Sequence, residues 1–209
     1  MIPDFSLIET MHFEPESGII RRNLHSARLR NSAKVLGFQG AEQALAALDE
    51  ATNAARSALR LRLELFANGR HDIASAPFVP APEGIAWRIG IAHDARLDST
   101  DPILRHKTSR RAVYDAARAE HPRETIDEVI LLNEKEEVCE GTITNIFVDD
   151  GSGTFLTPPL SSGCLAGILR TSLICGKKAR NQRLTLDDLK RQPFYVGNSL
   201  RGLIRATFA

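Results

Sequence analysis

Apolar and polar positions along the first third of the chain follow two periods. Ser6 to Phe13 and Gly18 to Arg22 read as short strands joined by a turn at Pro15-Glu16-Ser17-Gly18, residue types that tight turns favour. From Leu24 the period lengthens. Leu29, Ala33 and Leu36 recur at i, i+4 and i+7, with Asn23 as the expected N-cap and Gly37 as the stop, which predicts a helix with one buried stripe. Ala41 to Leu59 is expected to form a second helix, with Leu45, Leu48, Ala55 and Leu59 on one face. The period then falls to two. Leu61, Leu63 and Leu65 alternate with Arg62 and Glu64, Asn68-Gly69 is a strong hairpin signal, and Asp72 to Ala76 is expected to return antiparallel. After Pro77, Pro80 and Pro82, the alternation of Trp87, Ile89 and Ile91 predicts another strand.

The polar cluster Asp98 to Asp101, ending at Pro102, is the best linker candidate. The expected division is therefore a small α+β domain over 1–101 and a strand-rich domain over 102–209. The second part opens on a short apolar strand at Ile103 to His106, followed by a helix near Arg110 to Glu120. Strands are then expected at Glu128 to Leu132, Glu137 to Cys139, Ile143 to Val148 and Thr154 to Leu156. A loop through Pro158-Pro159 and Ser161-Ser162-Gly163 leads to Gly167 and a helix over Ile168 to Cys175, stopped by Gly176.

Composition narrows the function classes. The chain has 209 residues, 43% hydrophobic and 25% charged, enough for a sizeable core. Lys and Arg number 27 against 26 Asp and Glu, so no whole-molecule field favours nucleic acid or an anionic membrane; any anion must be recognised locally. Cys139, Cys164 and Cys175 suit neither a disulfide framework nor zinc spacing, so no metal is expected. The start has no basic, apolar leader pattern and no stretch approaches eighteen apolar residues, so a cytoplasmic protein is expected.

Three segments carry candidate chemistry. Lys107 sits among Arg105, Arg110 and Arg111, cations that would lower its pKa and favour an amine nucleophile. Glu140 begins Glu140-Gly141-Thr142-Ile143-Thr144-Asn145, which places several hydrogen-bonding groups where a half-buried strand would carry apolar ones. The small-residue loop before Ile168 exposes backbone N–H groups at a helix start, which suits a phosphate, while the nucleotide fingerprints are absent.

In this order and spacing the three segments resemble the class IV aminotransferases, the fold type IV family that uses pyridoxal 5′-phosphate. The likeness also takes in Leu7-Ile8-Glu9-Thr10-Met11, His25-Ser26-Ala27-Arg28-Leu29, His106-Lys107-Thr108 with Arg111, Thr157-Pro158-Pro159 and Gly167-Ile168-Leu169-Arg170. Within the family, Lys107-Thr108-Ser109-Arg110-Arg111 with Tyr114-Asp115, Leu184 to Leu189 and Val196 to Leu203 are most similar to the aminodeoxychorismate lyases. The resemblance implies a two-domain α+β fold of the D-amino acid aminotransferase type, with a barrel-like second domain, and a homodimer. It implies that Lys107 links covalently to the cofactor and moves the substrate proton, and that Glu140 lies against the ring nitrogen. It also implies cofactor contacts from Arg28, Gly167, Ile168, Leu169, Asn198, Ser199, Ile143 and Thr144. The substrate is expected to be a small anionic amino compound, with Arg88, Arg105, Arg110 and Arg111 as candidate partners of its carboxylates.

Leu169 replaces a threonine common at that place in the family, leaving only its backbone donor, and Ala112 stands where the branched-chain enzymes have tyrosine. Three readings follow: a lyase giving 4-aminobenzoate and pyruvate, an aminotransferase for branched-chain or D-amino acids, and a non-catalytic relative serving as a binding module. The last is motivated by the short chain and by Leu169.

Overall fold

The computed structural model describes residues 3–82 and 84–209 and divides into two compact units. One reaches to Pro80 and also contains His106–Arg110; the other comprises Ala81–Arg105 and Arg111–Ala209.

In the first unit β1 (Leu7–Glu14) is followed by β2 (Gly18–Ile19), α1 (Arg22–Leu36), α2 (Ala41–Thr52), β3 (Leu59–Leu65) and β4 (His71–Pro77). The strands form one antiparallel sheet in the order β2-β1-β3-β4. Leu61, Leu63 and Leu65 are fully buried on one face of β3, against Leu7 and Met11 of β1 and Leu29, Ala33, Leu45 and Leu48 of the helices. The period-two expectation thus holds, and Gly69, at φ 89°, makes the hairpin turn. Gly37 stops α1 in the left-handed conformation as expected. Its N-cap, however, is Arg21, itself left-handed and without a side-chain cap, rather than Asn23. The second helix is also shorter than its alanine content suggests. It ends at Thr52 because Leu59 already belongs to β3, opposite Phe13 of β1.

The segment carrying Lys107 belongs to this sheet. Thr108 bridges to Leu7, the Ile8 N–H donates to the Lys107 carbonyl at 2.8 Å, and the Ser109 N–H donates to the Ser6 carbonyl at 2.9 Å. His106–Arg110 therefore extends β1 pairing locally, and the lysine sits on a hydrogen-bonded backbone rather than on a solvated turn.

The second unit contains β5 (Ala86–Leu97), α3 (Ala112–Ala119), β6 (Glu128–Asn133), β7 (Val138–Gly141), β8 (Asn145–Asp149), β9 (Phe155–Thr157), α4 (Ile168–Cys175), β10 (Ala179–Asn181), α5 (Leu186–Arg191), β11 (Phe194–Asn198) and β12 (Gly202–Phe208). Its sheet runs β10-β9-β8-β11-β12-β5-β6-β7. Since β7 and β8 are joined by only three residues yet stand far apart in that order, the sheet has to curl. The Gly141 N–H donates to the Thr144 carbonyl at 2.8 Å across that connection. Ile89, Ile130, Val138, Ile146, Val148, Val196 and Ile204 fill the core.

Two expectations are corrected here. The units divide near Pro80 rather than at 101, because β5 pairs with β12 and β6 and so belongs with the second sheet. Pro102–Arg105 is a 3-10 turn rather than a strand, its first N–H groups captured by Asp101, whose side chain accepts from the Ile103 N–H at 2.8 Å. Among the described residues no helix is long and apolar enough to cross a membrane, and no cluster of His, Cys, Asp and Glu is placed to hold a metal.

Candidate active site

The second unit gathers most of the expected residues. Glu140 is the penultimate residue of β7, beside Leu131 of β6, and is 5% exposed. Its carboxylate accepts from the Tyr114 hydroxyl at 2.8 Å, the Leu165 N–H at 3.1 Å and the Asn145 amide at 3.3 Å. Asn145 also donates to the Leu165 carbonyl, tying the strand to the loop before α4. This is a buried acid held by donors of three segments.

Thr142–Thr144, between β7 and β8, make a tight turn around a second acid, one with no role expected from the sequence. Glu128, 1% exposed, accepts at one oxygen from the Val129 N–H, the Thr142 N–H and the Thr142 hydroxyl, at 2.9, 3.0 and 2.6 Å. Its other oxygen accepts from the Ile143 N–H at 3.1 Å and the Thr144 hydroxyl at 2.8 Å. The polar residues that look misplaced in a strand are thus consumed by this carboxylate. Ile143, between two buried threonines, is left 48% exposed. Carbonyls of the turn are held in turn: Arg111 donates to Thr142 at 2.6 Å and Asn198 to Ile143 at 3.1 Å.

Gly167 caps α4, and Ile168 and Leu169 form its first turn, where the first backbone N–H groups of a helix have no intrahelical acceptor. A Cβ on Gly167 would lie 1.8 Å from the Asn145 Oδ1, so glycine is required for this approach. Leu169 is buried, its side chain filling the space left by Gly197, where a Cβ would lie 2.8 Å from the Leu169 Cδ2. The residue that departs from the family pattern therefore packs inward and offers its backbone. Ser199 is buried just beyond the strand, and Asn198 accepts from the Leu200 and Arg201 N–H groups.

The expected arginines diverge. Arg111 is committed to the turn; Arg88 forks onto Asp127 at 3.0 and 3.1 Å; Arg105 is exposed at the end of the 3-10 turn. Arg110 belongs to the first unit, above the Phe5 ring at 5.8 Å. Arg28 is in the first unit too, forked onto Glu9 at 2.8 and 2.7 Å, with His25 on the same carboxylate at 2.6 Å. Burial would raise the Glu9 pKa, but Arg28 and His25 together bring it down to about 2. Glu9 was visible only as part of a motif. The Cys139 and Cys164 thiols are pushed up by burial and are unreactive thiols in this setting.

The amino-transferase class IV family model matches residues 6–207. The chain belongs to the class IV aminotransferase family. The crystal structure of a proposed amino-acid aminotransferase from Mesorhizobium loti is 45% identical, with TM-score 0.95, over 99% of this chain and 100% of that one. A proposed aminodeoxychorismate lyase of Schizosaccharomyces pombe is 27% identical over 81% of this chain and 73% of its own length. A branched-chain-amino-acid aminotransferase proposed in Thermotoga maritima is 37% identical over 43% of this chain and 30% of its own length. This class IV enzyme therefore has the α+β fold expected of fold type IV.

Proposed function

We propose that the protein is a pyridoxal 5′-phosphate-dependent lyase that converts 4-amino-4-deoxychorismate to 4-aminobenzoate and pyruvate, a step in folate-precursor synthesis. The observation that carries the cofactor reading is the buried Glu140 carboxylate, oriented by Tyr114, Leu165 and Asn145 in the unit that also holds the turn Thr142–Thr144 and the start of α4. A buried carboxylate held by three donors suits a protonated ring nitrogen, and a helix start lined by glycine suits a phosphate, so this donor set fits the group. When bound, pyridoxal phosphate supplies an electron sink for the pair released as the substrate C–H bond breaks.

The chain's own residues do the rest. Lys107 would hold the cofactor through its Nζ, and the same amine would serve as the base that takes the ring proton of the substrate. Glu140 keeps the ring nitrogen protonated. Backbone N–H groups at Ile168 and Leu169, with Asn198 and Ser199, would hold the phosphate, and Ile143 and Thr144 would border the ring; Arg28 is a further candidate donor, whereas the Gly167 N–H is already given to the Leu165 carbonyl at 2.8 Å. The enolpyruvyl group leaves as pyruvate, and aromatisation of the ring drives the reaction. Arg105 and Arg110, exposed and outside the ion pairs formed among the described residues of their own units, are the better candidates for the substrate carboxylates; Arg88 is already forked onto Asp127. A homodimer in the cytoplasm completes the reading.

The lyase assignment is supported by Ala112 in place of the branched-chain tyrosine and by the likeness to the yeast protein over most of the chain. An aminotransferase is the second reading, favoured by the 45% identical structure bearing that name. Incubating the purified, cofactor-loaded protein with aminodeoxychorismate is expected to release 4-aminobenzoate and pyruvate, and Lys107→Ala to abolish both products and the visible cofactor absorbance. Transfer of amino groups from branched-chain or D-amino acids to 2-oxo acids, with no aminobenzoate formed, would overturn the lyase. Unchanged function in Lys107→Ala would point to the binding module.

A further inference from the structure

Helix α3 carries two side chains onto the β7–β8 connection. Arg111, at its N-cap, donates to the Thr142 carbonyl, and Tyr114, one turn on, donates its hydroxyl to the Glu140 carboxylate at 2.8 Å. The Arg111 guanidinium also lies 4.9 Å over the Tyr114 ring, which fixes the ring between the cation and the acid. Residues three apart on a helix share a face, so the two contacts act as one clamp.

We propose that Tyr114 is a positioning residue for Glu140: its phenol holds the carboxylate in one orientation and favours the ionised form needed opposite a cofactor ring nitrogen. This rests on the reading of Glu140 given above. A hydrogen bond to a carboxylate from a neutral donor stabilises the anion, and the phenol stays neutral, because burial and the neighbouring Glu140 both push its pKa upward. Other groups coupled to this acid include Cys139 on its own strand, Cys164 in the loop before α4 and Arg170 on α4, while Arg111 at the start of α3 acts on the phenol itself. Both thiols are neutral, and Arg170 is engaged by the Pro158 carbonyl and the Asn181 side chain. Tyr114 is thus the neutral side chain on α3 that orients the acid, through its contact with the Glu140 Oε1.

Tyr114→Phe keeps the ring and removes only the donor. Equilibrium dialysis of wild type and Tyr114→Phe against pyridoxal 5′-phosphate, and against its analogue with the ring nitrogen replaced by C–H, separates positioning from general packing. The variant is expected to bind pyridoxal phosphate about tenfold more weakly, the loss of one hydrogen bond to a charged group, and to bind the analogue unchanged. Equal weakening of both probes, or none, would overturn the proposal. A second measurement needs no cofactor. In protein carrying ¹³C-labelled glutamate, the Glu140 carboxyl should titrate at higher pH in Tyr114→Phe, and an unchanged titration would overturn the proposal as well. Wild type binding both probes equally would instead remove the cofactor reading, while the ¹³C titration still decides the Tyr114–Glu140 contact.

Discussion

Thr142 gives both its backbone N–H and its hydroxyl to one oxygen of Glu128, at 3.0 and 2.6 Å. Two further N–H groups and the Thr144 hydroxyl complete a set of donors that saturates the carboxylate. Because this acid holds the turn that displays Ile143 and presents carbonyls to Arg111 and Asn198, the geometry after Glu140 depends on a residue with no assigned part in the chemistry.

Glu128→Gln preserves volume but turns an N–H₂ group toward donors, leaving at least one of them buried and unpaired. The expected loss is about 2–4 kcal/mol in unfolding free energy, within the range for a broken buried network. Urea denaturation measures it directly, and a variant as stable as wild type would mean that the turn is held by its own backbone.

Much of the fold was legible because it depends on local period. Leu61, Leu63 and Leu65 announce β3, and Gly37 and Gly176 stop the helices where expected. Alanine between 41 and 59 misled because helix propensity is a weak term that the pairing of Leu59 with Phe13 overrides. The domain boundary was hidden for a related reason: β5 is assigned by its neighbours β12 and β6, the first of them more than a hundred residues downstream. At the site, Glu140 was conspicuous as an acid among strand residues. Glu128 was not, since four of its five donor groups lie 14 to 16 positions away and only the fold of the β7–β8 connection turns them toward it.

Gly167→Ala tests how closely α4 approaches β8. The new methyl would sit 1.8 Å from the Asn145 Oδ1, and Asn145 cannot withdraw without breaking its bonds to Glu140 and Leu165. Overpacking of this kind costs about 1–3 kcal/mol. The double variant with Asn145→Ala should recover part of that loss, since the two sites share the clash. Strict additivity in thermal unfolding would show that the glycine is needed for another reason.

Gly40 and Gly18 separate backbone strain from crowding. Both adopt left-handed φ angles, 73° and 71°, but a Cβ at Gly40 would lie 2.7 Å from the Gly69 carbonyl oxygen, whereas nothing stands within 4 Å at Gly18. Gly18→Ala should therefore cost only the conformational term, about 1 kcal/mol, and Gly40→Ala distinctly more, because its obstacle is backbone in the β3–β4 turn. Unfolding midpoints of the two variants, compared side by side, give the order; equal losses would contradict the close approach.

Glu9 makes the stability of the first unit depend on pH. Its carboxylate falls from an ordinary 4.5 to about 2, since Arg28 and His25 outweigh the burial that would raise it. A folded-state pKa below the unfolded one means the contribution is complete above pH 4.5 and disappears as the pH falls toward 2. At neutral pH it amounts to about 3 kcal/mol. Glu9→Gln cannot titrate, so the stability difference between wild type and this variant should be largest near neutrality and shrink through that acid window. Urea unfolding of both proteins between pH 7 and about pH 3 follows the difference. A gap that stays constant on acidification would mean that the Glu9 carboxylate is not held ionised by Arg28 and His25.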